Sequence, residues 1–443
     1  MGLKGAQHDV DSNATGPTPS DEDKLSSQGT APGGKSNDVV PGPPNGGMKA
    51  WLQVLGSWFL VFNTMGTIVT FGLYQAYYER GAIFTQSSAN ISWIGSIQSF
   101  IFFALGALTG PVYDRGHLRL LLVVGSFFIV FGHMMLSLCQ EYWQIVLAQG
   151  FVVGAGGGCL FVPALAVVQP YFSTRLGMAL GIIGTGSSIG CIIYAVMFIN
   201  LIDRVGFAWT VRALGFLSLG TLCIPIIVMQ MRGKPPAARK LLDISAFTDR
   251  TFLLSILGCF LGYGGCQVSF FYIAYYGEVK GWLAGNLALY LLPIINAGSI
   301  IGRVLPNVLA IKIGPVNVII PGSVLIAAVL LCNLAVTNAA GIVCVAIFLG
   351  ILSGTFISLP PLLFMAYTKD KTKLGARMGM AYAVIGLSVL PGGPGAGGVL
   401  QHDGDSLDWT AAWTYAAALL LSACLVFCVL RFTLAGFKLR AKA

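Results

Sequence analysis

Arg175-Leu-Gly-Met-Ala179 opens one long apolar run of the chain, and Arg377-Met-Gly-Met-Ala381 opens another. Three further echoes keep nearly the same spacing. Phe71-Gly-Leu-Tyr-Gln-Ala-Tyr-Tyr-Glu79 is answered by Phe270-Phe-Tyr-Ile-Ala-Tyr-Tyr-Gly-Glu278, Gly150-x-x-x-Gly154 by Gly350-x-x-x-Gly354, and the break at Asp114-Arg115 by that at Ile311-Lys312. All four offsets lie between 197 and 202 residues. Glycine-rich runs resemble one another, so a single echo carries little. Four in register mean that one unit occurs twice in the same direction.

The unit is written for lipid. Of 443 residues, 56% are hydrophobic and 10% charged, with mean hydropathy +0.78, whereas soluble domains carry roughly 25% charge. A helix crosses a bilayer with about 20 apolar residues. Runs of that kind fall at 51–74, 91–113, 119–138, 143–168, 175–199, 209–231, 251–277, 284–310, 315–336, 340–366, 374–400 and 409–432. The expectation is an all-α membrane protein with twelve transmembrane helices in two parallel six-helix repeats. Residues 1–47, rich in Gly, Pro, Ser and Asp with no apolar period, read as a disordered cytoplasmic tail. Bundles follow at 48–231 and 251–432, joined by a cytoplasmic loop at 232–250 and ended by a tail at 433–443.

Charge gives the orientation. With the N-terminal tail on the cytoplasmic side, nineteen of the 26 Lys and Arg fall on breaks of that side. Only Arg80, Arg204, Arg212 and Lys280 face the other. Cytoplasmic loops hold the cationic excess, so both termini are expected in the cytoplasm. The net charge of +9 is thus a topology signal and not a nucleic-acid footprint. The ten cysteines lie in apolar runs without metal-type spacing, and His8, His117, His133 and His402 do not cluster. No metal, cofactor or nucleophile–base pair is expected. Gly29-Thr-Ala-Pro-Gly-Gly-Lys35-Ser36 fits a phosphate-loop pattern, yet has no strand before it and no helix after it.

Gly110-Pro-Val-Tyr-Asp114-Arg115-Gly-His-Leu-Arg119 resembles the loop that major facilitator proteins carry between spans 2 and 3. Two parallel six-span repeats rocking about a central site are the build of that superfamily. A closer likeness joins three segments. Asn45-Gly-Gly-Met-Lys-Ala-Trp51 resembles the lead-in motif of the monocarboxylate porter family, where an acid normally stands at the position of Asn45. Tyr171-Phe-Ser-Thr-Arg175-Leu-Gly-Met-Ala-Leu-Gly-Ile-Ile-Gly-Thr-Gly-Ser-Ser-Ile-Gly190 is similar to the family's span 5 signature. Pro293-Ile-Ile-Asn-Ala-Gly-Ser-Ile-Ile-Gly-Arg303 is similar to its fungal branch. The resemblance implies transport of small monocarboxylates, vitamins or secondary metabolites. It also implies a span 1 lysine and a span 8 aspartate in proton-coupled members, but this chain has an uncharged residue near Val69 and Ser299.

Arg303 is the leading candidate for substrate binding, since an intramembrane guanidinium is costly and suits an anionic group. Asn63, Tyr74, Gln98, Tyr194, Gln267, Tyr272, Asn296 and Tyr382 are the polar and aromatic span residues that would line a cavity. Asp114, Arg115, Arg175 and Arg377 are candidate gate residues, with an Asp114–Arg377 latch between the halves as the specific expectation. The Pro391-Gly-Gly-Pro-Gly-Ala-Gly-Gly398 run is expected to bend its span. The functional expectation is a secondary active or facilitative transporter of an organic solute, acting as a plasma-membrane monomer. Two alternatives are an efflux pump for a fungal secondary metabolite and a non-transporting sensor on the same fold; an enzyme is not expected.

Overall fold

A backbone amide in hydrocarbon has no water to bond, so each span must close its own hydrogen bonds as a helix. The computed structural model describes residues 45–233, 243–368, 373–401 and 406–436. Residues 1–44 of the tail, Lys234, Arg239 and Lys240 of the loop, Lys369, Lys371, His402 and the cations after 436 lie outside the described residues. Within them, every regular element is helical. The spans are α1 (Met48–Glu79), α2 (Ser88–Asp114), α3 (Leu118–Leu136) and α4 (Tyr142–Tyr171), the last with a π-helical stretch at Val146–Val153.

The next stretch, Leu176–Val228, is 53 residues long. At about 1.5 Å per residue it would reach ~80 Å, more than twice a bilayer core of ~30 Å. Gly206 interrupts it at φ 74° and ψ 173°, a backbone conformation that glycine tolerates. Asp203 and Arg204 beside it are exposed. There are accordingly two spans, α5 (176–205) and α6 (207–228), and eleven apolar stretches become twelve crossings. The second half holds α7 (Arg250–Lys280), α8 (Leu291–Ile313), α9 (Pro315–Cys332), α10 (Ala339–Tyr367), α11 (Leu374–Leu400) and α12 (Trp409–Ala435). Ser87, Asp249, Asn338 and Asp408 start their helices as side-chain caps, accepting from the amides of Asn90, Phe252, Gly341 and Ala411.

Lipid supplies no hydrophobic force between helices, so close backbone approach through small residues must hold them. A Cβ on Gly154 of α4 would fall 2.8 Å from the Gln98 carbonyl oxygen of α2. On Gly350 of α10 it would fall 2.1 Å from that of Ile295 in α8, and on Gly302 of α8 1.9 Å from that of Ile351. The duplicated Gly-x-x-x-Gly motif thus does the same work twice, α4 on α2 and α10 on α8. Between halves the duplication crosses over: α5 meets α8, and α11 meets α2, where Gly386 lies against Phe103. The Pro391–Gly398 run does not break its span. Helix continues through it, and its glycines admit neighbours instead, Gly392 against the Gly264 carbonyl and Gly397 against the Ala89 amide.

Replacing Gly302 by Ala is expected to cost about 1–3 kcal/mol through overpacking against backbone. Gly220 faces open space, so Gly220→Ala should change stability by less than ~1 kcal/mol. Thermal unfolding of the two purified variants compares them directly; equal melting temperatures would refute the close-approach reading.

Candidate solute site between the halves

A small cavity of about 20 Å³ lies where the halves meet, bounded by α1, α2, α7 and α10. Its walls include Val69, Ser99, Phe103, Tyr263, Gln267 and Phe270. Two of its wall residues, Phe103 and Tyr263, belong to a ring cluster that extends beyond it to Tyr382 and Phe161. Phe103 of α2 stacks on Tyr382 of α11 with centroids 5.7 Å apart and planes 6° apart. Tyr263 meets Phe103 edge-on at 5.8 Å, and Phe161 meets Tyr382 edge-on at 5.4 Å. Two polar groups here lack partners among the described residues. The Ser99 hydroxyl is buried without a hydrogen bond, and the Gln267 side chain, 7% exposed, bonds no other described residue. Buried polar groups without partners are rare enough to require explanation.

Arg303 lies outside the lining of this cavity, in electrostatic reach of its wall residue Tyr263 and of Cys191. Its residue is 4% exposed. It donates to the Gly184 carbonyl oxygen at 2.6 Å and to Ser187 Oγ, both on α5 across the seam, while its Nε has no partner among the described residues. No carboxylate pairs with it among the described residues. Ser299, one turn earlier, shares a 2.8 Å hydrogen bond with Ser188. Beyond Gly184 towards the terminal side, Gly181 and Gly177 of α5 face open space.

At the end opposite the chain termini the halves are tied together. Tyr272 of α7 bonds Ser92 Oγ, and its hydroxyl lies 3.3 and 3.2 Å from the carbonyl oxygens of Ser88 and Gly393. Arg80 pairs with Glu278, Asn286 donates to Asp203, and the Ser88 amide donates to Gln401 Oε1 at 2.9 Å. Glu79 joins the same cluster, accepting from Gln75 at 2.7 Å and Ser88 Oγ at 2.9 Å. These contacts close that end.

The expected Asp114–Arg377 latch is not formed. Arg377, in the first turn of α11, faces the loop before α7 and not α2. It donates to Asp243 at 2.9 Å and Asp249 at 2.8 Å and lies over the Phe252 ring. Asp243 also accepts from Ser245 Oγ at 2.6 Å. That hydroxyl and the Arg377 guanidinium hold the Asp243 carboxyl well below the usual range, to about 2. Asp114 is buried, whereas Arg115 and Arg175 are exposed at helix ends.

The other candidates divide. Gln267 and Tyr382 reach the central ring cluster. Tyr194 donates to Asn63 Oδ1 at 2.6 Å, and Thr221 adds a 3.0 Å bond to the same oxygen, so this pair ties α1, α5 and α6. Tyr74 and Gln98 face a smaller cavity of about 10 Å³ inside the first half, with His133 and Gln149. Asn296 is fully buried and donates to the Leu292 carbonyl. Sequence reasoning misses Phe103, Phe161, Tyr263 and Ser99, because a lone phenyl or hydroxyl in an apolar span has no sequence signal. Two quoted motifs do meet in space: Asn45 Oδ1 accepts from the amides of Ser173 at 2.6 Å and Thr174 at 3.0 Å, and Trp51 packs edge-on to Phe172.

Comparison with known proteins agrees with this architecture. The family model of the Major Facilitator Superfamily matches residues 53–315. An MFS-type transporter of Emericella nidulans, dbaD, is 50% identical over 385 residues, which are 87% of this chain and 86% of that one. The fujikurins efflux protein of Gibberella fujikuroi is 35% identical (86% and 82% covered), and the aspyridones efflux protein apdF of Emericella nidulans 33% (82% and 74% covered). A crystal structure of a point mutant of the nucleoside transporter NupG superimposes with TM-score 0.69 at 13% identity, covering 86% of this chain and 99% of that one; this likeness speaks for the fold alone. The chain belongs to the major facilitator superfamily and is a multi-pass membrane transporter.

Proposed function

We propose that the protein exports an acidic secondary metabolite across the plasma membrane, as a monomer with both termini in the cytoplasm, and that it is a transporter without catalytic activity. The observation that carries the acidic substrate is Arg303. A buried cation whose bonds go only to a carbonyl and a hydroxyl is electrostatically uncompensated. Members of the monocarboxylate porter branch with proton coupling place an aspartate four residues before this arginine; here that residue is Ser299, already bonded to Ser188. The substrate itself then supplies the missing negative charge. Val69, where the branch resemblance implies a lysine, is an apolar part of the cavity wall. Lactate–proton symport is therefore not the expected chemistry. Membership of that branch is supported by the contact between the lead-in and span 5 motifs. Export is supported by the two relatives named for efflux, and orientation by the cationic excess.

In this reading the structure is closed away from the termini, and the Arg377 clamp holds the loop to α11 while the halves rock. Flux of labelled acids in proteoliposomes tests the reading. Arg303→Gln should raise KM for acidic solutes about tenfold or more, as loss of a hydrogen bond to a charged group implies, and leave neutral analogues unchanged. Equal losses for both would remove Arg303 from the site, and absence of flux for every solute would favour the sensor.

The clamp makes a separate pH prediction. A carboxyl with a lowered pKa contributes fully above its ordinary value of 3.8 and is lost only as pH falls through about 2. Wild-type transport should thus show no titration step from Asp243 between pH ~5 and ~8, and Asp243→Asn should shift rates by one factor across that range. A pH step abolished by Asp243→Asn would contradict this.

A further inference from the structure

The central cavity is unusual in what surrounds it. Phe103 and Tyr382 come from opposite halves and lie 6° from parallel. Tyr263 and Phe161 present edges to that pair from α7 and α4. Aromatic side chains that only fill a core need no polar company. Here the Ser99 hydroxyl and the Gln267 carboxamide stand beside the rings without partners among the described residues, and both line the cavity. The carboxamide supplies a carbonyl acceptor and two N–H donors, and the hydroxyl one donor and an acceptor.

We propose that this cavity selects a flat, oxygen-bearing aromatic ring system, which inserts between Phe103 and Tyr382 and hydrogen-bonds to Gln267 and Ser99. The inference rests on the transport reading and narrows its substrate class. At about 20 Å³ the cavity holds roughly one water molecule, so the ring enters only as the halves separate. An inserted ring needs about 3.5–4 Å to each neighbour, so the near-parallel Phe103 and Tyr382 planes must part to roughly 7–8 Å. Because α2 and α11 belong to different halves, rocking supplies that widening. In the unloaded state the two side chains stack on each other and occupy the place of the substrate. A saturated ring of equal size offers no π-face to Phe103 or Tyr382 and is too thick for the slot. Arg303, in electrostatic reach of Tyr263, places an acidic substituent at the α8 side of the ring.

Equilibrium binding to the full chain in nanodiscs, with dihydroxynaphthoate, naphthoate and decahydronaphthoate as probes, separates this from the transport reading. All three carry one carboxylate, so the Arg303 contact is constant across the series. Dihydroxynaphthoate is expected to bind about tenfold tighter than naphthoate, and naphthoate about tenfold tighter than decahydronaphthoate. Gln267→Leu, an apolar side chain of similar size, should reduce the first preference and leave the second. Tyr382→Leu should reduce the second. Equal affinities for flat and saturated probes, no binding of any probe, or a Gln267→Leu variant with unchanged preferences would overturn the ring slot. Flux of all three probes at similar rates would overturn it too while leaving acid transport standing; ring-selective binding without flux would instead remove the transport reading.

Discussion

In hydrocarbon the backbone of each span is already spent on its own helix, so helices hold together only through side chains and close van der Waals approach. The chain answers this constraint with glycines, hydroxyls and rings, placed at different depths. Inside, glycines bring backbone onto backbone, as at Gly350 against Ile295 and Gly154 against Gln98. Such contacts are lost entirely by a small separation and so favour rigid units. Between the halves, the middle of the seam relies on hydroxyls and rings: Ser188 with Ser299, Phe103 with Tyr382. These can part and re-form one at a time. Glycines also cross the seam at the end away from the termini, Gly72 of α1 against the Phe270 carbonyl oxygen of α7 and Gly397 of α11 against the Ala89 amide of α2, so backbone approach fastens that end while rings and hydroxyls fill the middle.

The two ends of the seam are unequal. Away from the termini, Tyr272, Ser88, Ser92, Glu79 and Gln75 form a connected polar cluster reaching from α1 and α2 to α7 and α11. Hydrogen bonds are stronger in a low-dielectric setting and costly to leave unmade, so this end opens only if several bonds are replaced together. Towards the termini, the seam contacts of α5 stop near Gly184, beyond which Gly181 and Gly177 face open space. Arg303 is the outermost of these α5–α8 ties, and it is a charged group held by neutral acceptors.

Much of this was legible in the sequence, for a physical reason. Span number, repeat and membrane class depend on composition and spacing, which lipid constrains strongly. Even the α5–α6 turn is announced by Asp203-Arg204-Val205-Gly206 between two apolar runs. What was not legible depends on which faces meet. Arg377 looked like the partner of Asp114, since both stand at span ends on the side of the chain termini; the first turn of α11 instead faces a loop carrying Asp243 and Asp249. Asn63 and Tyr194 looked like ligand contacts and are bonded to each other. Phe103 and Tyr263 could not be told from the other aromatic residues of the spans until the fold brought them to one cavity.

A substrate shifts the halves only by as much as it binds one arrangement better than the other. That requirement singles out the groups whose satisfaction changes when the seam opens. The Asn63–Tyr194 pair stays bonded within one half whatever the seam does, so a ligand gains nothing from it. Ser99, Gln267 and Arg303 differ: among the described residues two have no partner and one has neutral partners on the opposite half. An acidic ring that satisfies all three replaces the Phe103–Tyr382 stack and the Arg303–Gly184 bond together. Its binding free energy is then expressed as separation of α2 from α11 and of α8 from α5. Those are the two crossed contacts of the repeat, so a ligand at the centre acts on both sides of the seam at once.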